Sequence, residues 1–292
     1  ADSNYFPLLN ELIDSIKREW ASYEGLPVFR QVLTSEDRSL TPIKQLGKLV
    51  AYAKKQMSSE QYQAIKQRYS NPVCKSFFVE LADQIQANKD HATLKLANAL
   101  RSQHHRILPE GGVEEIRDWL NDPNNRIDIQ GVRDLDLGNQ NLKVVPEELS
   151  LFTGLQRLGV PNNRLTSIDV SGLTGLQHLN LDNNQLESVE GLSGLTQLQH
   201  LWLSYNQLTS LDVTRLVNLR ELGLDDNQIE RVPGLSGLGA LKYLHLSTNH
   251  LTSIDVSGLR SLEMVDLEDN QLTRVVGISK LRKLETLLLR NN

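Results

Sequence analysis

The hydrophobic positions in the second half of the chain repeat as L-x-x-L-x-L-x-x-N-x-L. The pattern is clearest in residues 176–186, and eight copies fill residues 132–292, the first degenerate and the last stopping at Asn292. Successive pattern asparagines lie alternately 21 and 22 residues apart. A fixed period of this length is typical of a stacked repeat, whose units bury their apolar faces against one another. The sequence therefore predicts a solenoid over residues 132–292.

This pattern resembles the leucine-rich repeat, and its short copies are similar to the bacterial internalin type. The resemblance implies that each L-x-L segment is a short parallel strand on the concave face of an arc, with its leucines in the core. It also implies that the pattern Asn bonds to backbone groups of the following turn, a role that suits an amide with both donors and an acceptor. The expected fold class is an α+β repeat protein, in which an N-terminal helical domain precedes a leucine-rich-repeat solenoid with a parallel concave sheet.

Residues 1–103 show helical periodicity instead. Apolar side chains in residues 5–24 follow i, i+3, i+4 and i+7 spacing, which predicts an amphipathic helix. Further helix starts, marked by cap-and-proline or capping-box signals, lie at Thr41-Pro42, residues 58–61 and Asn71-Pro72. A final helix is predicted around residues 94–100. We therefore predict a helical domain of about five short helices over residues 1–103.

The turn-rich stretch of residues 104–112 is the predicted linker between this domain and the repeats. After it, Ile116, Trp119 and Leu120 lie on one face of a short amphipathic helix. We predict that residues 113–131 form a capping helix and lead-in, because an open solenoid must cover the end of its core. The alternative is that this helix belongs to the helical domain.

Between the predicted strands, the repeats alternate between two sequence types. One continues as L-T-S-hydrophobic-D-V, as in residues 165–170, and the other carries a glycine, as in residues 189–192. These segments are short enough to predict turns or 3₁₀ pieces on the convex side, without full helices. The resulting double unit indicates an internal duplication.

The charge of the repeats indicates the class of partner, and the cysteine content indicates the compartment. Residues 1–111 carry a net charge of +3 and residues 112–292 one of −8, which gives −5 for the chain. A net-negative repeat region argues against nucleic acid, which demands a basic footprint, and favours a neutral or basic protein partner. The single cysteine, Cys74, excludes an intramolecular disulfide, and no apolar run approaches the roughly 20 residues that span a bilayer. These features favour a cytoplasmic protein or one secreted into a host cell.

Function is expected at the strand positions that the leucines leave free. Aligning the copies gives three such rows, and the middle copies carry a set of aromatic, histidine and acidic side chains there. The predicted partner-binding residues are His178, His200, Trp202, Tyr205, Tyr243, His245, Met264, Asp182, Asp225 and Asp266. Aromatic side chains exposed at the centre of a sheet face have no core to fill and are typical interface anchors. The alternative is that they only stack on one another along the sheet.

The acidic members of this set form a predicted margin along one edge of the same face. Three interpretations stay open at this point: steering of a basic partner, a plainly solvated face, and a calcium site. The three histidines predict binding that changes with pH near their unperturbed pKa of about 6.5.

The sequence contains no motif of a familiar catalytic or cofactor site. A phosphate loop, a dinucleotide fingerprint and a His-Glu-x-x-His pair are all missing. Cys74 lies in an apolar helical pattern, which indicates a structural thiol and not a nucleophile. His91, with the His104-His105 pair, lacks the ligand partners of a metal site. We therefore predict a non-enzymatic binding protein that needs no cofactor or metal.

A helical domain followed by short repeats of this type is similar to effectors and surface proteins that bacteria use on host cells. The function this resemblance implies is a protein–protein interaction on the concave face, with a host protein as the partner. The alternative is the targeting part of a larger enzyme, for example a ubiquitin-ligase-type effector. That alternative is suggested by the eighth copy, which stops without a visible cap and would expose Leu287 and Leu289.

Overall fold

The computed structural model describes residues 72–104, 108–109 and 111–292. The helices predicted before residue 72 lie outside the described residues, as does part of the predicted linker. Within these residues, three α-helices precede the repeats: α1 (Pro72–His104), α2 (Val113–Asn121) and α3 (Arg126–Gln130).

Helix α1 begins at the proline of the Asn71-Pro72 signal, as the sequence predicts. It then runs without a break through a stretch where the sequence predicted the end of one helix and the start of another. The residues between those two predicted helices, 86–92, contain neither glycine nor proline and are mostly good helix formers, so nothing there ends the helix.

The C-terminal half of α1 contributes to the core of the repeat unit, which comprises residues 84–292. Leu96 and Leu100 are fully buried in the same hydrophobic cluster as the repeat leucines. The domain boundaries expected from the sequence stay predictions, and α1 crosses the first of them at residue 103.

The N-terminal end of the repeat core is covered by helices. In α2, Ile116 and Leu120 are buried in the same cluster, and Trp119 packs against it half-buried. Near the end of α1, the Gln103 side-chain amide donates to the Asp136 carbonyl oxygen (2.7 Å) and accepts the Asp136 N–H (3.0 Å). Gln103 thereby satisfies the open edge of the first strand as a neighbouring strand would.

The described residues contain twelve short strands. In chain order they are β1 (Asp134–Asp136), β2 (Arg157–Gly159), β3 (Ser167–Asp169), β4 (His178–Asn180), β5 (Ser188–Glu190), β6 (His200–Trp202), β7 (Glu221–Gly223), β8 (Tyr243–His245), β9 (Ser253–Asp255), β10 (Met264–Asp266), β11 (Arg274–Val276) and β12 (Thr286–Leu288). Eight of them, one from each predicted copy, form a parallel sheet in the order β1-β2-β4-β6-β7-β8-β10-β12. This sheet confirms the predicted solenoid with its parallel concave sheet.

Neighbouring strands pair in the register that the repeat alignment predicts. On β4 and β6, His178 lies opposite His200, Leu179 opposite Leu201, and Asn180 opposite Trp202. From β1 to β10 the central residue of each strand in this sheet, a leucine or Val265, is buried in the core, so the residues on either side of it face solvent. In the last strand, β12, the central Leu287 is 37% exposed. We call this solvent side of the eight-stranded sheet the concave face.

The pattern asparagines bond to the backbone, and the six from Asn163 to Asn270 are buried. The resemblance implied partners in the following turn, but the bonds run to groups of the asparagine's own repeat and of the preceding one. The Asn206 amide nitrogen donates to the carbonyl oxygens of Leu181 (3.0 Å) and Leu203 (3.0 Å), and more weakly to that of Ser204 (3.3 Å). Its oxygen accepts the N–H of Leu186 at 2.9 Å. Since these groups belong to two successive repeats, each asparagine holds adjacent turns of the solenoid together.

The convex side contains turns and 3₁₀ segments, as predicted, and also short strands, which the sequence did not predict. Strands β3 and β5 pair with each other and β9 with β11, so this side is built from double units. A 3₁₀ segment follows β5 after Gly191, which has φ +79°. A Cβ there would lie 2.3 Å from the Ser171 backbone nitrogen, so both the dihedral and the space require glycine.

Candidate partner-binding face

The concave face brings together the rings that the sequence predicted as its centre. The imidazoles of His178 and His200 lie parallel, with ring centroids 4.5 Å apart and planes inclined by 4°. The indole of Trp202 stacks beside them, 5.4 Å from the His200 ring and 6.3 Å from the His178 ring. All three side chains are half-buried. We call these three residues the aromatic stack.

The alternative interpretation, stacking along the sheet, is therefore part of the structure. It does not exclude an interface, because the stack has no core above it and keeps part of its surface in solvent. A stack that is already ordered loses little conformational entropy on binding.

Glu221 on the neighbouring strand holds two rings of the stack in place, and it is not among the partner-binding residues predicted from the sequence. One of its carboxylate oxygens accepts the Trp202 indole N–H at 3.1 Å, and the other lies 3.1 Å from His200 Nδ1. Gly223, opposite Trp202, makes room for the indole, since a Cβ there would lie 3.2 Å from Trp202 Cδ1. The only sequence signal for Glu221 is its position just before the central leucine of its strand, where the repeat alignment places it next to His200.

The His178 imidazole has a lowered pKa, so its neutral form is favoured. Burial is the main cause, and the positive charges of a protonated His200 and of Arg157 lower the pKa further. The carboxylates of Asp134 and Glu221 act in the opposite direction. His178 therefore stacks on its neighbours preferentially as a neutral ring.

Tyr243, His245 and Met264 of the predicted set lie two or more strands away from Trp202. Tyr243 on β8 is exposed, and its hydroxyl donates to Glu263 at 3.0 Å, beside a 2.7 Å bond from Lys242 to the same carboxylate. Met264 lies opposite Tyr243 on the next strand and is half-buried. His245 is aligned with Gly223, which separates it from the aromatic stack.

The acidic margin is more structural than the sequence suggested. The Asp182 carboxylate accepts the Ser204 N–H at 2.8 Å, and the Asp225 carboxylate accepts the N–H (2.8 Å) and hydroxyl (3.0 Å) of Ser247. Burial raises the pKa of both carboxyl groups, although these hydrogen bonds oppose the shift. Asp266 instead accepts the N–H of Glu268, two residues further along its own chain segment, at 3.0 Å.

Tyr205 lies just beyond β6 at the same margin. Its side chain is 59% exposed, and its backbone has φ +58°, the left-handed conformation shared by the equivalent residues of other repeats. The charge of Asp226 raises the pKa of the Tyr205 hydroxyl, with smaller contributions from Asp225 and Asp182. The phenol ring therefore lies in a region of negative potential next to the stack.

Within the described residues, no three His, Cys, Asp or Glu side chains come together as a possible metal site. The His91 ring contacts the Gln140 carbonyl oxygen at 3.1 Å, which is a structural contact. Across the same residues, no helix combines the length and the apolar character that crossing a membrane requires.

Comparison with family models identifies the repeats. The model described as leucine rich repeat matches residues 153–208 and 217–272, and a model of two leucine-rich-repeat copies matches residues 196–237. The repeat region is therefore a leucine-rich-repeat solenoid, the class of fold that typically serves as a scaffold for protein–protein interaction. Its repeats are of the internalin-like type. Comparison with curated protein sequences gave no match.

Several solved structures are similar to this chain. Internalin C2 from Listeria monocytogenes is 27% identical, with a TM-score of 0.57, over 68% of this chain and 84% of that one. A leucine-rich-repeat protein of Leptospira interrogans is 26% identical, with a TM-score of 0.43, over 59% and 58%. The ectodomain of the Arabidopsis thaliana receptor kinase GASSHO1/SCHENGEN3, in complex with CASPARIAN STRIP INTEGRITY FACTOR 2, is 29% identical, with a TM-score of 0.49, over 56% and 22%.

Proposed function

We propose that this protein binds a protein partner on its concave face and that the aromatic stack is the centre of the contact. The observation that carries the proposal is the set of stacked rings held by Glu221 on a solvent-facing sheet. Binding energy in protein interfaces is concentrated in a few such residues, tryptophan and tyrosine foremost among them. The exposed phenol rings of Tyr205 and Tyr243 extend the surface on either side of the stack.

The size of the face supports a macromolecular partner. Eight strands spaced by about 4.8 Å give a surface on the order of 34 Å long. A surface of this length suits a folded protein or an extended segment and exceeds what a small metabolite covers.

We propose a non-enzymatic role on the same grounds. The polar groups next to the stack are engaged in structural bonds: Glu221 with the rings, and Asp182 and Asp225 with backbone N–H groups. The described part of the face pairs no nucleophile with a general base.

The test compares the full chain with the variant Trp202→Ala/Tyr243→Ala. Proteins captured by the immobilised wild-type chain are purified, and their affinity for both forms is measured. We expect the double variant to bind at least about 10-fold more weakly, as loss of central aromatic anchors does. The matched control is Val217→Ala, which removes an exposed apolar side chain (53%) outside the sheet. Equal affinity of the double variant and the control refutes the proposal.

The finer roles implied by the resemblance are proposals as well. A bacterial effector acting on a host protein is consistent with internalin-like repeats, and a targeting part of a larger enzyme is the alternative. The length of the native chain distinguishes these two roles, because the second requires a catalytic domain elsewhere in it.

A further inference from the structure

Ser204 lies on the concave face beside the aromatic stack. It follows Trp202 by two residues and so faces the same side. The bonds Asn183 N–Ser204 O (2.9 Å) and Tyr205 N–Asp225 O (2.9 Å) continue the strand register beyond β6, which places Ser204 between Asp182 and Asp225. The small Ser204 side chain thus has the Trp202 indole on its own strand and an aspartate, Asp182 or Asp225, on each neighbouring strand.

The spacing of the two carboxylates suits a long cationic side chain. Asp182 and Asp225 are separated by two strand intervals, about 9.6 Å. Both carboxylates lean in the same direction, Asp182 to the Ser204 N–H and Asp225 away from Ser204 to the Ser247 N–H, so this separation is kept. A guanidinium or ammonium group between them is attracted by both carboxylates, while its alkyl stem and charge lie against the indole.

The charges of Asp182 and Asp225 are only partly offset by neighbouring groups: Ser204 and Ser247 donate hydrogen bonds to them, and His245 acts on Asp225 as a nearby positive charge. Among the described residues, no lysine or arginine forms an ion pair with Asp182 or Asp225. Besides burial, the charges of Asp225 and Glu221 raise the pKa of the Asp182 carboxyl, so these groups repel one another.

The imbalance extends over the centre of the face. In strands β4, β6, β7, β8 and β10, the two solvent-facing strand residues and the residue two positions after the strand include carboxylates but no lysine or arginine. The carboxylates are Asp182, Glu221, Asp225, Asp266 and Glu268. Charge complementarity therefore requires a basic surface on the partner.

We propose that the concave face receives an arginine or lysine side chain of the protein partner between the carboxylates of Asp182 and Asp225 and against Trp202. This inference rests on the proposed function and adds the chemistry of the partner. A cation over an indole gains cation–π attraction, and the two carboxylates accept its N–H donors in charge-assisted bonds.

The structure offers a variant that removes charge without removing the structural bonds. An asparagine oxygen accepts a backbone N–H as a carboxylate does, as the bond from Asp182 N to the Asn180 oxygen (2.9 Å) demonstrates in this protein. Asp182→Asn/Asp225→Asn should therefore keep the acceptors for Ser204 and Ser247. The matched control is Asp212→Asn/Asp255→Asn, which removes two carboxylates from the convex side that accept backbone N–H groups in the same way.

The experiment uses random peptides displayed on phage as the probe. Peptides are selected on the full wild-type chain, and those that Trp202→Ala fails to capture are sequenced and synthesised. We expect these Trp202-dependent peptides to contain more Arg and Lys than the starting library. We also expect their affinity to fall on the order of 10-fold in Asp182→Asn/Asp225→Asn and to change little in the control.

Two results overturn the inference while leaving the proposed function intact. One is a Trp202-dependent set without an excess of Arg and Lys. The other is a loss of affinity in Asp182→Asn/Asp225→Asn no larger than in the convex control. A selection that yields no Trp202-dependent peptide refutes this inference together with the proposed function.

Discussion

The imidazoles of His178 and His200 lie face to face on neighbouring strands, with ring centroids 4.5 Å apart. Two rings at this distance cannot both carry a proton without repulsion. The stack therefore links the order of the concave face to pH, because the neutral form of His178 is favoured and its protonation works against the stack.

The pH dependence of stability has a definite sign. The pKa of His178 is lower in the folded chain than in the unfolded one, so the unfolded chain binds more protons between the two values. The stability that His178 contributes is therefore fully present above its unfolded-state pKa of about 6.5, and it is lost as pH falls through its folded-state pKa. In His178→Phe, which keeps a ring and removes the titration, we expect the urea midpoint to fall less between pH about 7.5 and about 5.

The matched control for this measurement is His250→Phe, at an exposed position outside the sheet. It should retain the pH dependence of the wild-type chain. If His178→Phe retains it as well, the stack does not couple the face to pH.

The buried asparagines predict a large loss of stability on truncation. Asn206→Ala removes the donor to the Leu181 and Leu203 carbonyls and the acceptor for the Leu186 N–H, and leaves these buried groups unpaired. We expect the free energy of unfolding in urea to fall by about 3 kcal/mol. The exposed neighbour Gln207→Ala should change it by no more than about 0.5 kcal/mol. Similar small effects from both variants contradict the structural role.

Helix α1 supplies a test of how the helices and repeats share a core. Leu96 is fully buried in the repeat core, whereas Leu94, two residues earlier, is 38% exposed. We expect Leu96→Ala to lower the free energy of unfolding of the repeat unit by about 2–5 kcal/mol and Leu94→Ala to have a much smaller effect. Equal effects would show that α1 does not belong to that core.

The repeat period was sufficient to predict the sheet and its register. Identical leucine spacing in every copy leaves one way to align parallel strands, so the pairing of His200 with Glu221 could be predicted before the structure. The convex glycines could also be predicted, because a short turn limits the backbone to few conformations.

The direction in which a side chain turns could not be predicted from the repeat period. The period assigns Glu221 to a row but does not show that its carboxylate turns toward Trp202. It assigns Asp182 to an edge but does not show that the carboxylate accepts a backbone N–H of the next repeat. The contact of Gln103 with Asp136 lies outside the repeats, so no period could indicate it.

The most direct test of the concave face as the binding surface is site-specific photo-crosslinking in the full chain. A photoreactive phenylalanine analogue replaces either Tyr205, beside the aromatic stack, or Val217, outside the sheet; the two side chains are similarly exposed, at 59% and 53%. Our account predicts a covalent adduct with the captured partner from position 205 and none from position 217. An adduct from position 217 alone, or equal yields from both, would contradict it.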